Sequence, residues 1–285
     1  MKTVLVTGAT GFIGNHVVEK LLTHGHVVVA SSPSEKKARE ASWYKNVTYA
    51  CFDLKQFDHA INYYEFFHKP DLMIHLSWEG LPNYKSSFHL EENLPRHVAF
   101  LSNLVKNGLR DLTVTGTCLE YGMKEGCLRE NMPSDPANSY AIAKNELRKA
   151  LGTLQLTQSF KLKWVRLFYM YGKGQHSNSL LSQLDKSLAN NEETFNMSGG
   201  EQIRDYLPVE KVAEYIVKIA LQDNVTGIIN CCSGQPISIK QFVTDYLKKV
   251  KKNIALNFGY YPYTDYEPMH FWGDTTKLET ILNDE

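Results

Sequence analysis

The first 31 residues confine the chain most. An apolar run, VLVTG (3–7), leads through Gly8, Gly11 and Gly14 into an amphipathic stretch, FIGNHVVEKLL, and a second apolar run, HVVVAS (26–31), follows. This is the order strand, tight turn, helix, strand. Glycines are needed where the backbone turns sharply, and where a pyrophosphate must approach main-chain N–H groups at a helix N-terminus, whose dipole favours anions. The turn formed by Gly8, Thr10, Gly11, Phe12, Ile13 and Gly14 is therefore read as a dinucleotide seat.

The same alternation continues downstream. Strand candidates VTYACF (47–52), LMIHLS (72–77), LTVTG (112–116), KWVRLF (163–168) and GIINCC (227–232) are interleaved with helical stretches at 12–24, 93–107, 138–156 and 209–222. That pattern predicts an α/β fold, a doubly wound parallel sheet covered by helices. After Tyr169 the rhythm loosens into Gly-, Ser- and Asn-rich loops at 172–179 and 196–202. The expected division is a dinucleotide-binding part, 1–169 with about 206–232, and a smaller C-terminal substrate-binding region, 170–205 and 233–285.

Composition narrows the partners. Lys plus Arg equals Asp plus Glu at 31 each, so no net charge draws the chain to nucleic acid or to an acidic membrane. No run approaches the roughly 18 uninterrupted apolar residues of a membrane span, and the start of the chain lacks a signal-peptide pattern, so a soluble cytoplasmic protein is expected. The five cysteines (51, 118, 127, 231 and 232) show no C-x-x-C spacing or paired-His motif. They are read as reduced thiols, and no metal site is expected.

The end of the second strand bears on which dinucleotide binds. An acid there would accept from both ribose hydroxyls of NAD, whereas a 2′-phosphate needs hydroxyl and cationic donors. Here Ser31, Ser32 and Ser34 precede Lys36, Lys37 and Arg39, which favours NADP(H). Asp53, followed by Leu54, sits after the third strand, where its side chain could bond the adenine amino group. Leu76 and Ser77, ending the fourth strand in HLS, are expected along the cofactor, and His75 inside that run is read as a packed, internally bonded histidine.

In NSYAIAKNEL, Tyr140 and Lys144 are four residues apart and share one helical face. A phenol is a poor acid–base group at neutral pH, but a nearby ammonium favours the phenolate, so Lys144 is expected to lower the pKa of Tyr140.

With these motifs in place, the chain resembles the extended short-chain dehydrogenase/reductases of the nucleotide-sugar epimerase/dehydratase family. The resemblance runs through TGATGFIG, the Asp53–Leu54 pair, HLS, Asn93 opening a helix, TGTCLEYG, YAIAK, VRLFYMYG, IRDYLPVEKVA and CCSGQPISI. It implies a Rossmann domain holding NAD(P), to which Asn93, Tyr140 and Lys144 contribute, and a C-terminal region holding a nucleoside-diphosphate sugar. By position, Thr117 is the residue that bonds the sugar hydroxyl or ketone, Tyr140 the acid–base and Lys144 its helper. Arg204 falls on the family's diphosphate-clamping arginine, and Tyr169 stands where relatives commonly carry a sugar-nucleotide-contacting Asn. Asn178 and Ser179 open the helix leading to the nucleotide site, with Gln175 and His176 as neighbours, and Glu120 is expected to shape the sugar pocket.

The resemblance also bears on the reaction. The family's 4,6-dehydratases carry an Asp-Glu pair directly after the active-site Thr, because removing water across C5 and C6 needs an added acid and base. This chain has Cys118 and Leu119 there. A reductase and a 4-epimerase can both run on Thr, Tyr and Lys. The Ser/Lys cluster, the compact length and the TCLEYG form favour NADPH-dependent reduction of a 4-keto-6-deoxy nucleotide sugar, with the dTDP-linked one as the candidate, for surface polysaccharide. The alternatives are a 4-epimerase holding NAD tightly and, in another class, a non-catalytic NADP-sensing regulator. An epimerase-reductase using Cys118 is disfavoured, because neighbouring strand residues point to opposite faces and Cys118 should turn away from the side Thr117 faces. The family usually dimerises through two helices per subunit. Val98, Leu101, Val105, Leu147 and Leu151 are candidates for a homodimer contact unless they face the sheet.

Overall fold

In a computed structural model that describes residues 1–283, the predicted strands form one sheet. Along the chain come β1 (Thr3–Thr7), β2 (Val27–Ser32), β3 (Thr48–Cys51), β4 (Leu72–His75), β5 (Asp111–Thr117), β6 (Gly126–Leu128), β7 (Lys161–Leu167), β8 (Tyr169–Tyr171), β9 (Thr194–Asn196), β10 (Ile203–Pro208) and β11 (Gly227–Cys231). Seven of them pair in parallel in the order β3-β2-β1-β4-β5-β7-β11. The order reverses between β1 and β4, and such a switch point opens a crevice at the carboxyl ends of the strands.

The helices lie where the apolar spacing placed them. α1 (Phe12–Thr23) is followed by the short α2 (Glu35–Arg39) and α3 (Tyr63–Phe66), then by α4 (Leu94–Lys106), α5 (Ser139–Leu154), α6 (Leu180–Ala189) and α7 (Val209–Leu221). α1 and α7 bury Val17, Val18, Leu21, Val212, Ala213 and Ile216 against one face of the sheet. α4 and α5 cover the other face with Phe100, Leu101, Leu104, Val105, Leu147 and Leu151. Leu101, Val105, Leu147 and Leu151 are thus spent on the sheet, at 1% exposure or less. Among the candidates for a contact between copies, only Val98 is half-buried.

The smaller region adds β12 (Pro236–Ser238), α8 (Ile239–Val250), β13 (Ala255–Asn257), β14 (Phe271–Gly273) and α9 (Thr276–Leu282). Its sheets are β12-β10-β8 and β13-β9, with β14 reaching back to β6. α9 returns to the large sheet, burying Leu278 and Ile281 there, and Lys277 donates to the Thr226 and Ile228 carbonyls beside β11.

One carboxylate joins several of these segments. Asp205 of β10, fully buried, accepts from Ser233 N (2.7 Å), Ser233 Oγ (2.6 Å), Gly234 N (2.9 Å) and Gly273 N (3.2 Å). A second buried charge, Lys163 of β7, is held by Asp111 (2.9 and 3.0 Å) and the Ala220 carbonyl (2.8 Å).

Candidate active site

The glycine turn sits at the switch point. Gly8 has φ +71°, and a Cβ there would stand 2.9 Å from Ser77 N, so the end of β4, with Leu76 and Ser77, lies directly against the turn. A Cβ on Gly14 would overlap the Gly8 carbonyl, so the helix can begin this close to the strand only with glycine at that position. α1 starts from Gly11 with no side-chain cap and no acid in its first turn, which leaves its leading N–H groups and positive dipole end for an anion. Thr10 is buried, whereas Phe12 and Ile13 are half-buried. Gly174 of the 172–179 loop lies near the Phe12 ring. Farther along, Asp53 caps the turn Leu54–Gln56, accepting from Lys55 N at 3.0 Å.

Three expectations for this half of the site need correcting. Ser31 and Ser32 are 2% exposed, and the Ser32 hydroxyl is shared with Tyr49 (2.9 Å), so neither serine lies open at the strand end. Lys36 remains exposed, but Arg39 is tied to Glu35 (2.7 Å). Asn93, 3% exposed, spends its amide on the Glu79 carbonyl (2.8 Å) and faces His89, so it shapes the β4–α4 loop from inside.

The catalytic candidates meet where β5 ends and α5 begins. Asn138 caps α5 by accepting from Ala141 N (3.0 Å), and Tyr140 N donates to the Tyr84 carbonyl (3.0 Å), which fixes the first helical turn. From that turn the buried Tyr140 side chain packs with Cys118 and Leu119, next to the Thr117 hydroxyl that ends β5. Lys144, one turn on, is fully buried and donates to the Thr115 carbonyl at 2.8 Å.

The electrostatics differ from the expectation. Burial holds the Tyr140 phenol well above its usual range, reinforced by Tyr84 and Glu120, and the neighbouring Thr117 opposes this only weakly. Burial also brings Lys144 down to about 7. Desolvation disfavours both charged forms and overrides the expected help of the ammonium to the phenolate. The site therefore presents a neutral phenol poised as a proton donor.

Around this centre several assignments change. Glu120, fully buried, accepts from Thr117 N (2.9 Å), Trp164 Nε1 (2.9 Å) and Arg166 Nε (2.9 Å). It braces Thr117 from behind and has no face toward a sugar. Cys118 does not turn away from Tyr140, because β5 stops at Thr117 and a tight helical turn, Cys118–Tyr121, replaces the strand alternation. The thiol packs in one cluster with Tyr140, Phe168, Cys232 and Phe271, and burial pushes its pKa far up, so it stays a neutral thiol. Arg204 is 2% exposed, paired with Glu267 (3.0 Å) and bonded to the Ile203 and Met269 carbonyls, so its guanidinium is already occupied. Tyr169 packs its ring near Arg204 and Phe271, with its hydroxyl beside Glu267.

At the other end of the cleft, Ser179 stands directly before α6, its hydroxyl donating to Ser182 (2.8 Å), and the exposed Asn178 accepts from Gln183 through its carbonyl. Gln175 bonds the Met170 carbonyl, and His176 is exposed. His75 is the internally bonded histidine expected, held by Thr7 (2.7 Å) and His97 (2.7 Å) and kept neutral by burial, which lowers it to about 3. Sequence reasoning missed Trp78, Tyr84 and His89, whose rings surround Tyr140. The available signal was the position of Trp78, directly after the HLS segment assigned to the cofactor. Among the described residues no helix is long and apolar enough to cross a membrane.

Comparison with known proteins agrees with this geometry. The sequence model of the "NAD dependent epimerase/dehydratase family" matches residues 4–232. The dTDP-6-deoxy-L-talose 4-dehydrogenase (NAD(+)) of Aggregatibacter actinomycetemcomitans is 29% identical over 276 residues, covering 95% of this chain and 98% of that protein. The dTDP-4-dehydro-6-deoxyglucose reductase of Escherichia coli is 22% identical over 271 residues, covering 90% of this chain and 84% of that protein. In structure, the UDP-glucose-4-epimerase of Stenotrophomonas maltophila solved with bound NAD superposes with a TM-score of 0.87 at 19% identity, covering 99% of this chain and 93% of that one. The parallel sheet with its glycine turn is of the Rossmann type, and the chain belongs to the NAD dependent epimerase/dehydratase family.

Proposed function

We propose that the protein moves hydride between a nicotinamide dinucleotide and C4 of a 6-deoxyhexose nucleotide, reducing a 4-keto-6-deoxy sugar, dTDP-linked, to the 4-hydroxy sugar. The observation that carries this reading is the neutral, buried Tyr140 phenol beside Thr117, with Cys118 and Leu119 standing where a dehydratase needs two carboxylates. The two relatives named above act, by their names, on dTDP-linked 6-deoxy sugars at the same carbon.

The cradle fits a dinucleotide, because α1 starts at Gly11 with no side-chain cap and no acid in its first turn, and Gly8 and Gly14 let the turn, β4 and α1 pack this closely. Gly8, Gly11 and Gly14 would hold the pyrophosphate, Leu76 and Ser77 would lie along it, Asp53 would reach the adenine, and Lys144 the nicotinamide ribose. When bound, the cofactor supplies the hydride. As the carbonyl carbon is reduced, negative charge grows on its oxygen, and Tyr140 is placed to donate a proton to that oxygen while Thr117 orients it. Lys144, near 7, can carry the proton that restores Tyr140.

For the cofactor, exposed Lys36 favours NADP(H), and Glu35, taken by Arg39 and Tyr44, removes an acid that the ribose of NAD could use. The 29% identical relative is named for NAD(+), which points the other way. Initial rates with NADH and NADPH on a 4-keto-6-deoxy nucleotide sugar decide both questions. Loss of nicotinamide absorbance with net formation of the 4-hydroxy product is expected. Interconversion of C4 epimers without net cofactor turnover would establish a 4-epimerase instead. Cofactor binding without turnover on a panel of keto sugars would favour a sensor.

A further inference from the structure

Trp78 lies at the centre of contacts that reach both catalytic side chains, and the reaction described above assigns it nothing. Its ring centroid is 4.1 Å from Lys144 Nζ and 5.9 Å from the Tyr140 ring, in an edge-on arrangement of 69°. A further ring, that of fully buried His97, stacks on it at 4.6 Å and 20°. The indole cannot rotate freely, because Nε1–H donates to His89 Nδ1 at 3.1 Å. That bond requires His89 to accept at Nδ1, so its Nε2 carries the hydrogen and donates to the Asn83 carbonyl at 2.9 Å. His89 also meets the Tyr140 ring, at 5.4 Å.

The contacts around Lys144 explain why such a seat is needed. A buried ammonium has three N–H donors, and in this chain the Thr115 carbonyl takes one of them. The charged groups facing it are few: Glu120 beyond the end of β5, with neutral His75, His89 and His97 on β4, the following loop and α4. An aromatic face supplies negative potential to a cation without itself titrating.

We propose that Trp78 is a positioning residue, an indole platform that seats the Lys144 ammonium and squares the Tyr140 phenol toward Thr117, held in register by the Trp78–His89–Asn83 chain. This rests on the acid–base roles given above to Tyr140 and Lys144.

The test compares Trp78→Leu, Trp78→Phe and Tyr140→Phe in steady-state turnover with the keto-sugar nucleotide, across pH, with circular dichroism to verify folding. Trp78→Leu should lower kcat by roughly 3- to 30-fold, the span of a desolvated cation–π contact, with little change in the KM for the sugar. Because the ring face favours the charged lysine, its loss should move the ionisation seen in the kcat profile downward by up to about one pH unit. Trp78→Phe keeps an aromatic face and should recover most of both effects, and it serves as the probe if the leucine variant does not fold. Wild-type kcat and pH profile in Trp78→Leu would overturn the platform, as would a fall in kcat that Phe does not rescue and that leaves the pH profile in place. If Tyr140→Phe itself turns over normally, the acid–base reading is what fails, and the platform fails with it.

Discussion

Replacing Glu120 by Gln separates a buried brace from a substrate ligand. Three donors converge on the carboxylate, from Thr117 N, Trp164 Nε1 and Arg166 Nε, and both charged side chains of the Glu120–Arg166 pair are fully buried. A glutamine presents one acceptor oxygen and one NH2 to a site lined by donors, so at least one N–H loses its partner and the Arg166 charge loses its counter-ion. Breaking one side of a buried ion pair costs about 3–5 kcal/mol, because the remaining charge stays out of water. For a chain of this size that corresponds to a fall in Tm of roughly 5–8 °C. Thermal unfolding followed by near- and far-ultraviolet circular dichroism measures it, and coincidence of the two signals licenses treating the transition as one step. Adding Arg166→Met to Glu120→Gln should recover part of the loss, since the uncompensated charge is then gone. If Glu120→Gln unfolds within about 2 °C of wild type while the KM for the sugar nucleotide rises several-fold, the brace is wrong and the carboxylate faces substrate.

Tyr140→Phe should reduce turnover by roughly 10²- to 10⁴-fold, with cofactor binding by fluorescence titration unchanged. Gly14→Ala should weaken or abolish cofactor binding, because its Cβ would overlap the Gly8 carbonyl and push α1 from the turn; unaltered cofactor affinity would contradict the close approach. Leu101→Ala, under α4, should cost about 2–5 kcal/mol in denaturant unfolding, since the side chain is wholly enclosed. Lys144 sits near 7 in the fold against an ordinary 10.5, so between those values the unfolded chain binds more protons and stability gains as pH rises, by at most about 1.4 kcal/mol per unit. Lys144→Met should remove that slope; an identical pH dependence of Tm in the variant would refute it.

The strands of the large sheet and the longer helices that cover it were readable because each depends on local periodicity: the runs of β1 and β5 and the apolar stripes of α1 and α7 declare themselves within a dozen residues. The nearness of Tyr140 and Lys144 was readable for a similar reason, since the two share one helix, whereas Thr117 came from the family resemblance. What failed depends on partners far along the chain. Glu120 is claimed by Trp164 and Arg166, 44 and 46 residues away, and Arg204 by Glu267, 63 residues away. Nothing in EYG or IRD announces those partners. The orientation of Cys118 was lost because alternation holds only while a strand continues, and β5 ends one residue before it. The lowered phenol expected of Tyr140 was lost because spacing gives proximity to Lys144 but not the extent of burial, and burial dominates here.

The four-donor seat of Asp205 has a consequence for anyone exchanging parts between relatives. Its carboxylate is satisfied by groups from two distant segments, from Ser233 and Gly234 after β11 and from Gly273 on β14. A chimaera that imports residues 233–273 from another protein would inherit a buried anion on β10 together with foreign loops that must present those same donors. The segment 233–273 can be transplanted onto this sheet only if Asp205 and the loops that bond it travel as one unit.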